Sequence, residues 1–192
     1  MNALLVLRHG ESTWNAQKRC QGQADPPLSD LGMRSAIDLA PSLFRFGFHS
    51  VVTSDLQRAK QTAEVLAAGL ELKPPRMMPD LRERDMGAFT GLTNAEVEAA
   101  YPQWIEQMRA GLRPDPPGAE PRDVLLRRAR GALLRAAGDG DGPTLVVTHG
   151  GVLEILAGHL GRPDLRFWNL HGYRLSAADD DSLQYTEAFP LG

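Results

Sequence analysis

Two positively charged or nitrogen-rich pairs stand where a buried strand should simply end. In LLVLRHGESTWN, Leu4 to Asn15, an apolar run stops at Arg8 and His9, and much later TLVVT, 144 to 148, stops at His149 followed by two glycines. Between them, SVVTS at 50 to 54 is followed within four residues by Arg58. Two arginines and two histidines around one point make an anion site, and the planar guanidinium fork matches phosphate oxygens better than other side chains do. Phosphate is the expected guest. A neutral imidazole is a competent nucleophile toward phosphorus, and nearby guanidinium charge both lowers its pKa and neutralises the group it attacks. The leaving alkoxide needs a proton, and LRERDMG at 81 to 87 offers Glu83 or Asp85 as a general acid that later serves as base for water. Spacing alone does not choose between them.

The elements that must carry these residues follow from the pattern. ALLVL at 3 to 7 reads as a strand buried on both faces, as in a parallel sheet covered by helices. Ser29 can cap a helix to about Arg45, with Met33, Ile37, Ala40, Leu43 and Phe44 as its apolar face. After the second strand, Ala59, Ala63, Leu66, Ala67 and Leu70 define another amphipathic helix. Thr93 and Glu96 form a capping-box pattern, and Pro102 breaks or kinks the helix they open. A proline-rich stretch, RPDPPGAEP, leads into a helix from about Arg122 to Ala137; GDGDGP is a loop before TLVVT. A further helix runs from about Val152 to Leu160, and YRLSA and SLQYTEA form a hairpin about the DDD turn. Strands alternating with helices predict an α/β fold, a three-layer α/β/α sandwich with an open, mostly parallel sheet and helices on both faces. Ligands of such sheets collect at the carboxyl ends of the strands, so Arg8, His9, Arg58 and His149 are expected to meet on one edge.

Composition narrows the classes. The 192 residues suit one domain, residues 1–192, with 87–118 as a covering segment that shapes specificity. Charged residues are 23% of the chain and the net charge is −3, which gives no reason to expect nucleic acid; Arg127, Arg128, Arg130 and Arg135 read as a solvated helix face. No apolar run nears the ~20 residues of a membrane span, and no signal-peptide pattern is present. One cysteine, Cys20, cannot form an internal disulfide, which suits the cytoplasm. A homodimer is compatible with the sequence, which carries no mark of oligomeric state.

Four stretches, RHGESTWN, SDLQRAKQTA, LRERDMGAFTGLT and THGG, resemble the signatures of the histidine phosphatase superfamily, the phosphoglycerate mutase-like family, in family order from Arg8 to Gly151. PPGAEP and Asn169 fit as well. The resemblance implies that His9 is phosphorylated, that Arg8, Arg58 and His149 hold the phosphoryl oxygens, and that Glu83 rather than Asp85 is the proton donor. It also assigns Asn15 to the pocket, Gly10 to keeping the backbone close behind His9, and the Gly150 amide to the phosphate. Gln21-Gly22, where mutases often have Ser-Gly, is similar to the broad-specificity and α-ribazole phosphatases. Mutases of the family carry a His and a Tyr after the acidic Glu-Arg, and later a lysine and an Arg-Arg pair for the substrate carboxylate. Here Glu83-Arg84 precedes Asp85-Met86, and Gly91 to Pro117 holds neither lysine nor Arg-Arg. The expectation is therefore hydrolysis of a small phosphorylated metabolite, without metal or cofactor. The alternatives are a mutase primed by 2,3-bisphosphoglycerate and a phosphate-binding protein with a decayed site.

Bland readings stand beside these. A lone RHG is more often surface charge, a lone Arg58 a helix-surface residue, and Glu83 between Arg82 and Arg84 a solvated ion-pair cluster. Two histidines with acids could bind a metal, but Arg8 and Arg58 would repel a cation, and no HxH or HExxH spacing occurs. His49, His159 and His171 lack a supporting frame and read as structural or surface residues; Cys20 reads as a loop thiol. Trp104 and Met108, at helical spacing, read as core or pocket wall.

Overall fold

A computed structural model describes residues 2–138, 142–178 and 182–189. The centre of the GDGDGP loop and the DDD turn lie outside the described residues. Six strands form one sheet: β1 (Asn2–Arg8), β2 (Ser50–Thr53), β3 (Arg76–Met77), β4 (Thr144–Thr148), β5 (Gly172–Ala177) and β6 (Leu183–Phe189), in spatial order β3-β2-β4-β1-β5-β6. The first four run parallel; β5 pairs antiparallel with β1 and with β6. The three-layer α/β/α sheet expected from the sequence is thus present, with an antiparallel hairpin added on one side.

The layers follow from the period-two alternation of side chains along a strand. Leu4 and Val6 of β1, Val52 of β2 and Val146 of β4 enter one core with α6 (Arg122–Gly138) and α7 (Gly150–His159). Leu5, Leu7, Val51, Leu145 and Val147 enter the other with α2 (Asp30–Leu43) and α3 (Gln57–Gly69). Each fully buried leucine contributes about 1.5–3 kcal/mol. Burial on both faces is why β1 and β4 read as unbroken apolar runs.

Three elements differ from the sequence expectation. The face of α2 that packs is Gly32, Ala36, Ala40 and Leu43, whereas Ile37 and Phe44 are each 54% exposed. Small residues win because α2 lies close to α3: a methyl on Gly69 of α3 would come 2.6 Å from the Ala40 Cβ. Next, β3 has two exposed residues among prolines, too short to show any period. Last, a four-residue helix, α1 (Thr13–Ala16), stands in the loop after β1, held by a capping box between Ser12 and Asn15. Thr93 and Glu96 do form their capping box, on α4 (Asn94–Ala100), and Pro102 ends that helix by opening a new one, α5 (Pro102–Arg109). No helix among the described residues is long and apolar enough to cross a membrane.

Candidate active site

Parallel strands bring the expected residues to one edge. His9 follows β1, Arg58 lies in the first turn of α3 after β2, and His149 precedes α7 after β4; all three are buried. The His9 backbone is fixed from several sides: its amide donates to the Thr148 carbonyl at 2.9 Å, and its carbonyl accepts from Asn169 Nδ2 at 2.9 Å. Behind it, the Gly10 amide donates to Thr62 Oγ1 at 3.0 Å. A Cβ on Gly10 would lie 2.9 Å from the Gly32 carbonyl oxygen, so the loop closes on α2 only through glycine.

Hydrogen bonds assign the tautomer of His9. Arg58 Nε donates to His9 Nε2 at 3.2 Å, and a guanidinium can only donate, so Nε2 holds a lone pair. The proton therefore sits on Nδ1, which donates to the Gly10 carbonyl at 2.6 Å. Burial, then the charges of Arg58 and Arg8, hold the His9 pKa well below the usual imidazole value, so the ring is neutral at neutral pH. Arg58 is locked as firmly, donating through Nη1 to Ala24 O at 2.7 Å and through Nη2 to Gly22 O at 2.9 Å. Burial pulls its pKa down to about 10, against the opposing effects of Glu83 and Asp25, and it stays charged near neutrality.

His149 lies edge-on to His9, with ring centroids 5.2 Å apart. Both its ring nitrogens are buried with no hydrogen-bond partner, as is Arg8 Nε, while Arg8 Nη1 donates to Phe167 O at 2.8 Å. Burial, Arg58 and His9 also push the His149 pKa well down. The Gly150 amide opens α7 next to the Arg8 guanidinium.

Glu83 comes from the irregular stretch before α4. Its Oε1 accepts from the Arg84 amide at 2.8 Å and its Oε2 from the Gly151 amide at 3.1 Å. That contact needs glycine: a Cβ at 151 would come 2.4 Å from Glu83 Oε1. Gln21 and Asn15 are joined through Ser12, whose hydroxyl donates to Gln21 Oε1 at 2.7 Å and accepts the Asn15 amide at 3.0 Å. Gly22 takes a positive φ, +49°, and turns its carbonyl to Arg58.

Arg8, His9, Asn15, Gln21, Gly22, Arg58 and Glu83 all line one cavity of about 790 Å³, whereas His149 and Gly150, expected at the phosphate, are not part of its lining. Asp85 does not line it and instead accepts from the Gly87 amide. The outer wall comes mainly from α6, α7 and the loop beyond, through Leu125, Leu126, Glu154, Ile155, Leu165 and Arg166. Of 87–118, Arg113 alone reaches the lining. Trp104 and Met108 do not: Trp104 packs edge-on to Phe89, and Met108 is 41% exposed. Cys20 is the expected loop thiol and His159 the expected exposed residue, and both also line the cavity. Among the described residues no three His, Cys, Asp or Glu converge as metal ligands.

Sequence reasoning missed Arg128. Expected on a solvated face, its side chain is 16% exposed and grips the Glu120 carboxylate with both arms at 2.7 and 2.8 Å. It also donates to the carbonyls of Asp80, Arg82 and Glu83, bracing the stretch that presents Glu83. Three backbone carbonyls leave no trace in residue types, so no pattern could have marked it. Gly151 was legible only as the second glycine of THGG.

The sheet edge thus gathers two guanidinium groups and two neutral imidazoles, with a carboxylate brought in by the stretch before α4, a set of groups able to bind a phosphoryl group. The chain belongs to the histidine phosphatase superfamily (branch 1), whose family model matches residues 4–185. It is 34% identical over 169 residues to the uncharacterized phosphatase PhoE of Bacillus subtilis, covering 86% of this chain and 82% of that one. It is 37% identical over 170 residues to a probable phosphoglycerate mutase, GpmB, of Yersinia enterocolitica, covering 85% and 77%. A mycobacterial glucosyl-3-phosphoglycerate phosphatase solved with VO3 superposes with a TM-score of 0.83 at 31% identity, over 97% of both chains.

Proposed function

We propose that the protein is a metal-independent phosphomonoesterase acting on a small phosphorylated metabolite through a phosphohistidine at His9. The observation that carries this reading is the tautomer of His9, in which Nε2 bears no proton and its lone pair accepts from Arg58 Nε. In the first step Nε2 attacks phosphorus, the P–N bond forms as the ester P–O bond breaks, and protonated Glu83 gives its proton to the departing alkoxide. In the second, Glu83 as carboxylate takes a proton from water, which attacks the phosphohistidine, releasing phosphate and restoring the imidazole. Arg8, Arg58 and His149, with the Gly150 amide, stabilise the charge on the transferring oxygens. Asn15, Gln21 and Gly22 shape the near wall. The unpartnered nitrogens of His149 and Arg8 support this assignment, because buried polar atoms without partners are rare and ligand oxygens would satisfy them. The one cysteine suits a reducing compartment, and the cytoplasm is the expected place of action.

His9→Ala is expected to lower hydrolysis of p-nitrophenyl phosphate by at least ~10⁴-fold, with EDTA leaving the unaltered protein's rate unchanged. Acid quench of the unaltered protein with substrate should trap an acid-labile phosphoryl group that the variant lacks. Retained turnover in His9→Ala overturns the mechanism, and absence of any phosphoryl-protein together with absence of turnover returns the protein to a binding role. A mutase reading is favoured by one feature, the Arg113 and Arg166 guanidiniums in the outer cavity, which could meet a substrate carboxylate. With 3-phosphoglycerate and catalytic 2,3-bisphosphoglycerate, inorganic phosphate as product supports the phosphatase and 2-phosphoglycerate the mutase.

A further inference from the structure

The cavity is far larger than a phosphate needs, and its outer part contains a carboxylate that the proposed chemistry does not use. Glu154 lies on α7 three residues beyond Gly151, whose amide holds Glu83, and four before Gly158; all three line the cavity. Three residues along a helix advance ~4.5 Å on the same face. Because Gly151 and Gly158 carry no side chains, Glu154 is the long side chain on that strip. An alcohol protonated by Glu83 leaves along it.

Glu154 is exposed where it lines the cavity, and no contact within the fold holds its carboxylate. Glu154 makes neither a hydrogen bond nor an ion pair among the described residues, and lies beyond the first turn of α7, where it would complement the helix dipole. Partial desolvation and the neighbouring Glu83 push its carboxyl pKa up, against the pull of Arg166, Arg8 and Arg122, and its charge opposes an incoming phosphate. Such a group is accounted for if substrate supplies its partner. A carboxylate accepts hydrogen bonds and cannot donate them, so the partner carries donors. Arg166, Arg8 and Arg122 all act electrostatically on Glu154, and an ammonium would have to enter among those three cations. Hydroxyl groups would not be repelled. The same lining includes Leu125, Leu126, Ile155 and Leu165, an apolar surface suited to the C–H face of a carbon ring.

We propose that Glu154 is a specificity-determining residue that accepts hydrogen bonds from hydroxyl groups of the substrate's alcohol portion, and that the favoured substrates are phosphate esters of polyhydroxy, sugar-like alcohols. This rests on the phosphomonoesterase reading above. The test compares kcat/KM for glucose 6-phosphate, O-phosphoethanolamine and p-nitrophenyl phosphate in the unaltered protein, Glu154→Ala and Glu154→Gln. Glu154→Ala should lower the ratio of glucose 6-phosphate to p-nitrophenyl phosphate about tenfold, the worth of one hydrogen bond to a charged group. The loss should lie mainly in KM, and Glu154→Gln, which keeps an acceptor oxygen, should recover part of it. Thermal melts check that the variants are folded. A ratio unchanged within about twofold overturns the proposal; so does a loss confined to O-phosphoethanolamine, or an unaltered protein that hydrolyses the aryl ester but no sugar phosphate. An unaltered protein that hydrolyses none of the three refutes the phosphomonoesterase reading, and this proposal with it.

Discussion

Arg58 and Arg113 line the two ends of one cavity with the same side chain under opposite conditions. Arg58 is fully buried, and its nitrogens reach His9, Ala24 and Gly22. Arg113 is exposed, on a loop beyond α5, and makes no hydrogen bond or ion pair among the described residues. At the inner end the rotamer is set before any ligand arrives, which is the condition for electrostatic stabilisation without reorganisation. At the outer end an exposed, unpartnered group such as Arg113 can be exchanged at little cost to the fold. A scaffold divided this way can keep one reaction and change what it reacts with, and relatives named as phosphatases and as a probable mutase are consistent with that division.

The division breaks most sharply at Gly151. Gly151→Ala inserts a methyl group where Glu83 Oε1 would be 2.4 Å away, so the carboxylate must move while His9 and Arg58 keep their partners. The expected result is a loss of ~10²-fold in kcat for a poor leaving group such as glycerol phosphate, in line with removal of a general acid. A smaller loss is expected for p-nitrophenyl phosphate, whose leaving group hardly needs the proton. Equal losses on both would show that the substitution damages the phosphate end instead.

Arg128 connects the two regions, because it spans α6 and the stretch that carries Glu83. Arg128→Ala leaves the Glu120 carboxylate, 12% exposed at its side chain, without its partner, together with three backbone carbonyls. Breaking so buried a pair is expected to cost ~2 kcal/mol or more, about 4–8 °C in Tm for a chain of this size. The variant's kcat should fall as well, since Glu83 loses its brace. A Tm within one degree of the unaltered protein would make Arg128 dispensable to the fold.

A weaker effect separates the two ends by pH. His9 and His149 have folded-state pKa values pushed well below the ordinary imidazole value, by burial first and by arginine charge second. As pH falls through about 6.5, the unfolded chain takes up protons that the folded protein refuses, so stability is full above that pH and declines below it. Melting curves from pH 7.5 down to 5.5 should show the decline, and His149→Gln should make it shallower. An identical slope in that variant would mean that carboxylates alone cause it.

How far such a division can be read without coordinates depends on the residue. Arg8, His9, Arg58 and His149 were legible as a group because each stands at or shortly after the end of a short, mostly apolar strand, and parallel strands put those ends on one edge. The α3 face, Ala59 to Leu70, was legible because its period is regular and all five residues are buried. The α2 face was not: close packing against α3 favours small residues, and Ile37 and Phe44 misdirect a reading based on hydrophobicity. Arg128 acts on backbone carbonyls, and Gly151 through the absence of a side chain, so neither leaves a mark in residue chemistry. Residues 87–118 were expected to cover the site and shape specificity; of them Arg113 alone lines the cavity, and the part played by α6 and α7 was not legible because which face of a helix lines a cavity is a tertiary fact.

That segment provides the smallest test. Phe89, Tyr101 and Trp104 form an aromatic cluster with centroids 5.0 and 4.9 Å from Phe89, and Trp104 Nε1 donates to Pro114 O at 3.0 Å, directly before the loop's return toward α6. Trp104 touches nothing in the cavity, but it anchors the loop on which Arg113 sits. Trp104→Phe keeps most of the apolar contact and removes the indole hydrogen bond, worth ~1 kcal/mol. Because the Arg113 side chain makes no bond of its own and the loop is otherwise held at Asp115 by Arg84 and Arg122, the change should appear in KM, by roughly twofold to threefold, for a substrate long enough to reach it. The kcat for p-nitrophenyl phosphate should stay within twofold, since that substrate ends before the outer wall. If kcat for the aryl ester falls instead, the covering segment and the phosphate end are one mechanical unit, and the contrast between Arg58 and Arg113 describes exposure without describing independence.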